Sequence, residues 1–393
     1  MCMFQIRKLR QIDYFFLLVM IAYAFDFGNL KYAMAWCFSA IYFLGNRLFE
    51  KRKLNGIGRE YVLVFKGITV LFVITAILQM VNGFNSYAIN EAIYYYTPLI
   101  FVIIYSQLSS SDEIENIYGY LFVLYCLAFL RRFAGQLTIA NIKSISFNSS
   151  YSPFESELAF VFLFFECFFL YQNKRRNAIL SLVLCILSFK RICMLVAIAF
   201  FVFSKWIVVK KPVNKKIVMA TTVVFVLLPV LTCLMLNDTL EAWFYQTFHV
   251  TLNDITLSRS SRIEAVINSG QIKYGLGSVT TYLTKYLNAM HGSNFSNRNM
   301  HNDLVQMYLE CGILGSIVFT YVYMKAASVS RTAFVLMCYI FLECYFNHLF
   351  GAGSTDIWIL IYLMLSVAGI TTQDAIKMER IEDGEDNSLY TYI

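Results

Sequence analysis

The sequence predicts an all-α protein: a polytopic transmembrane helix bundle of about 12 spans, with a long extracytoplasmic loop between spans 9 and 10. Three observations carry this. Of the 393 residues, 59% are hydrophobic and only 15% charged, at a mean hydropathy of +0.59. A soluble chain usually carries about 25% charge and could not hide this much apolar surface. The apolar residues also fall into runs near the roughly 20 residues that a helix needs to cross a bilayer. Finally, only 4 prolines interrupt those runs, so long helices are permitted. The 36 Phe and 27 Tyr suit lipid-facing surfaces and the headgroup level.

The basic start MCMFQIRKLR runs straight into the first apolar stretch. It could pass for a secretory leader, but Asp26 interrupts the run, no small-residue cleavage site stands out and further spans follow at once. It is therefore read as a membrane helix. Residues 1–236 hold nine spans, at 12–30, 32–49, 61–81, 91–108, 117–134, 154–172, 177–189, 191–209 and 217–236. Residues 237–300 form the long outer loop. Residues 301–373 hold three more spans, at 301–324, 332–350 and 355–373, and 374–393 is an acidic, solvated cytoplasmic tail.

Orientation follows from Lys and Arg, which concentrate on the cytoplasmic side. With the N-terminus inside, the basic clusters at 7–10, 47–59, 174–176, 205–216 and 325–331, with Lys377 and Arg380, all face inward. Both termini are then cytoplasmic. The segment 177–209 tests this. Read as one span, it would reverse everything downstream and turn the 205–216 cluster outward. Two helices joined by a tight turn at Lys190-Arg191 keep the charge rule. The first of them is then too short to cross fully, which recesses the Lys-Arg pair below the outer surface.

The ten Cys lie almost entirely in apolar runs, with no CxxC and no Cys/His ligand spacing. No structural metal, disulfide framework or cofactor is expected, and no nucleic-acid partner.

Charges inside a bilayer need partners or a function. The acids within predicted spans are Asp26, Glu166, Glu310 and Glu343; helix-to-helix hydrogen bonding is the plainer reading and a proton pathway the functional one. The outer-side cations are Arg131, Arg132, Lys190, Arg191, Arg259 and Arg262, with His301 opening span 10. Each alone has a bland explanation, such as snorkelling to headgroups. Together they run against the positive-inside rule and sit beside the one long loop. Converging guanidinium groups match phosphate oxygens. This predicts an outer-face pocket for an anionic, phosphorylated, lipid-like ligand. His301-Asn302-Asp303 opens a helix at the water boundary, where a neutral imidazole can take a proton from a hydroxyl. Within the loop, 259–269 reads as a short helix capped by Ser258 or Ser260, and Tyr274-Gly275-Leu276-Gly277 as a turn of close backbone approach. Gly312 and Gly315 lie on one face and would admit a neighbouring helix.

Three of these segments resemble the O-antigen polymerase and O-antigen ligase superfamily of bacterial membrane glycosyltransferases. The stretch from His301 to Gly315, HNDLVQMYLECGILG, is similar to the family's His-Asn, Glu-x-Gly, Gly signature after the long outer loop. Ser261-Arg262-Ile263-Glu264 followed by Gly275-Leu276-Gly277 resembles its Arg-led helix and Gly-x-Gly turn. Leu187 to Arg191 resembles its Ser-x-Arg-type turn between two spans. The resemblance covers roughly 177–325.

It implies an enzyme of the bacterial inner membrane that acts on undecaprenyl-diphosphate-linked oligosaccharide at the outer face. The glycan moves from the lipid diphosphate to an acceptor sugar hydroxyl, without metal or nucleotide sugar and with inversion. Arg191 and Arg262 would bind the diphosphate, and His301 would orient or deprotonate the acceptor. Here Lys190-Arg191 replaces the simpler Ser-Arg form and Arg259 precedes Arg262, so Lys190 and Arg259 are candidates for the same work. Arg131, Arg132 and Asn302 are further candidate contacts. A polymerase extending another lipid-linked repeat unit, for O-antigen lipopolysaccharide or capsule, is preferred. A ligase passing the chain to lipid A core is the first alternative, and a flippase for the same lipid-linked sugars the second. A chain-length regulator and a flippase would be natural partners. A transporter should show two related halves and broken helices, neither of which is apparent in the sequence.

Overall fold

The computed structural model describes residues 9–45, 58–136, 138, 139, 141, 155–236, 238–249, 259–291, 300–351 and 354–382. Among them are 16 helices and no strand. In chain order these are α1 (Gln11–Ala24), α2 (Leu30–Gly45), α3 (Arg59–Asn82), α4 (Tyr87–Gln107), α5 (Ser111–Ala134), α6 (Leu158–Tyr171), α7 (Arg175–Leu187) and α8 (Arg191–Val202). They continue with α9 (Ser204–Ile207), α10 (Lys215–Met235), α11 (Asp238–Phe248), α12 (Arg259–Asn268), α13 (Ser278–His291), α14 (Asp303–Ala327), α15 (Arg331–Phe346) and α16 (Thr355–Glu382).

Each apolar segment marked in the sequence carries a helix. Five of them, α3, α4, α5, α10 and α14, are long and apolar enough to cross a membrane; α1, α6, α8 and the first part of α16 are shorter apolar helices. Some boundaries differ from expectation. α1 ends at Ala24 because Asp26 and Gly28 take positive φ, 50° and 56°, in a turn. Asp26 therefore lies outside the span, exposed, and accepts from Lys31 Nζ at 2.8 Å. The 191–209 segment divides into α8 and α9. α16 runs on to Glu382 through strong helix formers such as Ala375, Lys377 and Glu379. The loop 237–300 is not featureless: it holds α11, α12 and α13.

Two helices form the centre. Every residue from Ala159 to Tyr171 of α6 is buried, as is Ile357 to Ala368 of α16. A helix that is apolar all round belongs inside a bundle. α16 also collects hydroxyls from its neighbours. Tyr61 Oη donates to the Tyr362 carbonyl at 2.8 Å, Tyr125 Oη to Asp356 at 2.8 Å, and Tyr118 Oη to the Leu360 carbonyl. Lipid offers little hydrophobic drive between helices, so such bonds, worth roughly 0.6 kcal/mol each, and close ring packing hold the bundle. Tyr118 stacks on Phe168 at 3.8 Å. The outer surface is apolar instead. Val73, Ile77 and Met80 of α3 and Val223, Leu231 and Leu234 of α10 are exposed, as a lipid-facing surface requires. The close approach of α3 to α14 is made by Gly67, where a Cβ would meet Val322 at 2.4 Å, and not by the Gly312/Gly315 pair.

Connections sort to two ends. At one, Arg331 N–H donates to the Lys211 carbonyl, Val213 N–H to the Ser328 carbonyl, and Lys210 sits over the Tyr171 ring at 5.0 Å. These are segments the charge rule assigns to the same side. The opposite end carries the α3–α4, α7–α8 and α15–α16 connections together with α12 and α13. The tight α7–α8 turn is what keeps this alternation in step.

Candidate active site

The site is built by α12 and α13 settling onto the end of the bundle. Ile263 and Val266 of α12, Val279 and Leu283 of α13, and Val305 and Leu309 of α14 form a second hydrophobic core. Polar bonds lock it. α14 is broken at Gly312, where φ is 67° and ψ −169°, a region open essentially to glycine alone. Just before the break, the Leu309 and Glu310 carbonyls accept the N–H groups of Lys273 at 2.6 Å and Gly275 at 2.9 Å. The Glu310 carboxylate accepts the Val279 N–H at 3.0 Å and Gln306 Nε2 at 3.2 Å. The Glu-x-Gly of the sequence signature is thus a docking joint for the loop: the glycine opens the helix and the glutamate holds the start of α13.

The Gly275-Leu276-Gly277 turn wedges between α3 and α4. Gly275 has φ 88°, and a Cβ there would meet Thr75 Cγ2 at 2.8 Å; at Gly277 it would meet the Tyr87 backbone at 2.9 Å. Gly275→Ala adds a clash to the left-handed strain and should cost about 1–3 kcal/mol. Gly270→Ala, at φ 68° with nothing within 4 Å, bears the strain alone and should cost less. Thermal midpoints of the two purified variants in detergent give the comparison.

Under this platform lies a cavity of about 360 Å³. Lys190, Arg259 and His301 line it together. Lys190 caps α8 and rests over the Phe160 ring at 4.6 Å. The preceding turn is fixed by Ser156 N–H donating to the Ser188 carbonyl at 3.0 Å. Arg259 opens α12 and lies within Coulombic reach of Glu343 and Glu155. Glu343 also lies within reach of Lys190 and is held by Tyr339 Oη at 2.9 Å and Asn347 Nδ2 at 2.6 Å, so a buried, hydrogen-bonded carboxyl group faces the cations.

Burial pushes the His301 imidazole down to about 4, helped by Arg262, His348 and Arg259, with Asp303 acting weakly the other way. It is neutral at pH 7 and able to accept a proton. Burial also lowers the guanidinium groups of Arg259 and Arg262, and Arg259 lowers Arg262 further. Both stay charged, since a guanidinium starts so high. His301 takes φ 56°, outside helical geometry, while Asn302 Oδ1 caps α14 on the Val305 N–H at 3.0 Å.

Asp303, first residue of α14, organises the opposite wall. Its carboxylate accepts His348 Nδ1–H at 2.5 Å, Leu349 N–H at 2.6 Å and Phe350 N–H at 3.0 Å. A carboxylate only accepts here, so the imidazole carries its hydrogen on Nδ1. Burial pulls the His348 imidazole down, but the Asp303 charge and hydrogen bond, with Glu157 and Glu310, outweigh it and leave His348 above its ordinary value.

Of the residues marked in the sequence, the structure brings Lys190, Arg259 and His301 together in the cavity lining, with Arg262 outside the lining but within Coulombic reach of His301 and Asn302 as the helix cap. Arg191 is exposed and outside the cavity lining, so its neighbour Lys190 is the cation of that turn that faces the cavity. Arg131 and Arg132 lie at the exposed end of α5, Arg131 over the Phe25 ring at 5.3 Å, and also lie outside the lining. Ser260 is buried in the first turn of α12; Ser258 lies outside the described residues. Glu310 and Glu343 are hydrogen-bonded, while both carboxylate oxygens of Glu166 are buried without a partner among the described residues.

Residues not marked in the sequence are His348, Glu91, Glu155 and Glu157, all in the lining. Each stands at the outer end of a predicted span, so the predicted alternation puts them at the same end of the bundle as His301, and the fold brings them into one lining.

Residues 176–320 match the sequence model of the O-antigen ligase family. The match runs from α7 through about two thirds of α14 and contains Lys190, Arg191, Arg259, Arg262 and His301. It agrees with the O-antigen polymerase and ligase superfamily resemblance. No curated protein matches the chain.

Proposed function

We propose that this protein is a polysaccharide polymerase of the bacterial inner membrane, with both termini cytoplasmic and the bundle crossing the bilayer about 12 times. It transfers a glycan from an undecaprenyl-diphosphate carrier to a sugar hydroxyl of another lipid-linked repeat unit at the outer face. The observation that carries this reading is one cavity whose lining brings a neutral histidine together with Lys190 and Arg259, with Arg262 outside the lining but near enough to act on that histidine by its charge.

The chemistry follows from these groups. Lys190, Arg259 and Arg262 neutralise the donor diphosphate and the charge it gains on leaving, usually the largest single contribution to such a step. The acceptor hydroxyl oxygen bonds to the anomeric carbon as the carbon–oxygen bond to the diphosphate breaks. His301 takes the hydroxyl proton. Attack opposite the leaving group inverts the anomeric configuration, and neither metal nor nucleotide sugar enters.

The ligase reading, transfer to lipid A core, uses the same chemistry, and the matching family model carries that description. A gel of surface and lipid-linked glycans from cells with and without the protein separates the readings. Loss of a polymerase leaves single repeat units on the acceptor. Loss of a ligase leaves full-length polymer on the carrier lipid. Single units accumulating unextended on the carrier at the inner face would instead support a flippase and overturn the transferase.

A further inference from the structure

His301 is one of two imidazoles in the cavity lining, and His348 is the other. Their surroundings differ. Burial keeps His301 neutral, and the charges of Arg262 and Arg259 add to it. His348 is instead gripped by a carboxylate. Its Nδ1–H donates to Asp303 Oδ1 at 2.5 Å, while Asp303 Oδ2 is held by the Leu349 and Phe350 N–H groups. The ring cannot turn over without leaving that carboxylate oxygen unpaired, so Nε2 is the edge left for a ligand. Among the described residues no group bonds to Nε2. It lies against Gly351, itself a lining residue, where a Cβ would run into the ring. Glycine at that position keeps the Nε2 edge uncovered.

Burial works against a second proton on His348. The charge and hydrogen bond of Asp303, with Glu157 ahead of α6 and Glu310 on α14, outweigh it. The other charged groups of the lining are Glu91 from α4, Glu155 ahead of α6, Lys190 from the α7–α8 turn and Arg259 from α12. His348 therefore keeps a hydrogen on both nitrogens to higher pH than free histidine, whereas His301 is a bare acceptor. Two titratable groups pushed apart in this way mark an acid and a base. The charges of the reaction sort likewise. The acceptor hydroxyl must lose a proton, which suits His301. The diphosphate oxygen gains charge as its bond to the anomeric carbon breaks, which suits a ring that only donates. A cavity of about 360 Å³ is near the small end for ligand sites, so both rings border the same bound group.

We propose that His348, oriented by Asp303, is the acid partner of His301: its Nε2–H hydrogen-bonds the phosphate oxygen that leaves the anomeric carbon and gives that oxygen its proton as the bond breaks. This rests on the transferase reading above. The hydroxyl proton ends on His301, the His348 proton ends on the freed diphosphate, and the two rings have exchanged protonation states. They reset when His301 releases its proton to water and His348 takes one up.

The test measures kcat and kcat/KM against pH for wild type, His348→Asn and Asp303→Asn in lipid nanodiscs, with the lipid-diphosphate-linked repeat unit as substrate. Asparagine places an N–H where Nδ1–H stood, so His348→Asn keeps a donor for Asp303 and removes Nε2. An acid held protonated by Asp303 works at low pH and is lost as pH rises through its raised value. Wild type should therefore show an alkaline limb above the ordinary histidine value of about 6.5. His348→Asn should lose that limb and about 10²-fold in kcat, the low end for general acid–base catalysis, because diphosphate is already a good leaving group. His348→Gln, with an N–H near the Nε2 position instead, should regain part of the rate but not the limb. Asp303→Asn keeps an acceptor without the charge and should move the limb to lower pH. Nitrogen NMR of labelled histidine supplies a readout that a merely structural role would not move: at a pH of about 6.5, a doubly protonated imidazole present in wild type and missing from His348→Asn. Full rate with an unchanged limb in His348→Asn would overturn the proposal and leave the transferase reading standing. So would a singly protonated His348 ring at that pH. No linkage formed by wild type at any pH would overturn the transferase reading and this assignment with it.

Discussion

Replacing His301 with alanine lowers glycan transfer by about 10²–10⁴-fold, the range for loss of a positioned proton acceptor. The imidazole lines the cavity, is neutral, and has Arg259, Arg262 and His348 close enough to depress its proton affinity. Because His301 takes φ 56°, alanine there bears some backbone strain. His301→Asn removes that complication, since asparagine tolerates the left-handed region. Both variants should elute and melt close to wild type while losing activity, because Asn302 caps α14 and Asp303 holds the neighbouring loop without His301. The pH profile follows from the same group. An imidazole pushed down to about 4 stays unprotonated as pH falls through the ordinary histidine range. The acid limb of kcat/KM in the free enzyme therefore lies near 4 and not near 6.5.

Asp303→Ala has the largest expected effect on the integrity of the site. The carboxylate is 6% exposed and receives three donors from the α15–α16 connection. Removing it leaves the Leu349 and Phe350 N–H groups and the His348 imidazole unpaired in a buried place. Breaking a buried pair of this kind costs about 3–5 kcal/mol. The melting temperature should fall, and transfer should fall with it, since His348, Leu349 and Gly351 all line the cavity. Asp303→Asn keeps one acceptor and should lose less on both counts. Equal stability of Asp303→Ala and wild type would mean that this loop is held by something else.

Much of the architecture was legible because the bilayer imposes a length on apolar runs and a sign on their flanks. The turn at Lys190 shows how far that goes: charge alone argued for two helices there, the first too short to cross, and α7 is 13 residues long; the second, expected over 191–209, instead ends after 12 residues as α8. The site was half legible. Lys190, Arg259, Arg262 and His301 stood out because cations are unexpected on an outer face. His348 and Glu91 did not, because each sits at a span end where a lone polar residue is ordinary, and only folding shows that both face one cavity. The break at Gly312 was invisible for a different reason. Gly312 and Gly315 at helical spacing read as a packing face, while the left-handed backbone that the first of them adopts depends on Lys273 and Gly275, almost 40 residues earlier, donating to the carbonyls before it. Helix breaks also occur in transporters. Here the freed carbonyls are taken up by the loop backbone, which fits a hinge for the loop better than an ion site.

The most direct measurement places the purified protein in lipid nanodiscs with the lipid-diphosphate-linked repeat unit, without nucleotide sugar and with a metal chelator present. The account predicts longer glycans on the carrier, one free carrier diphosphate released for each new linkage, and neither product from His301→Asn. Full product formation by His301→Asn, or no new linkage from wild type under conditions where lipid-linked units still cross the membrane in proteoliposomes, would contradict it.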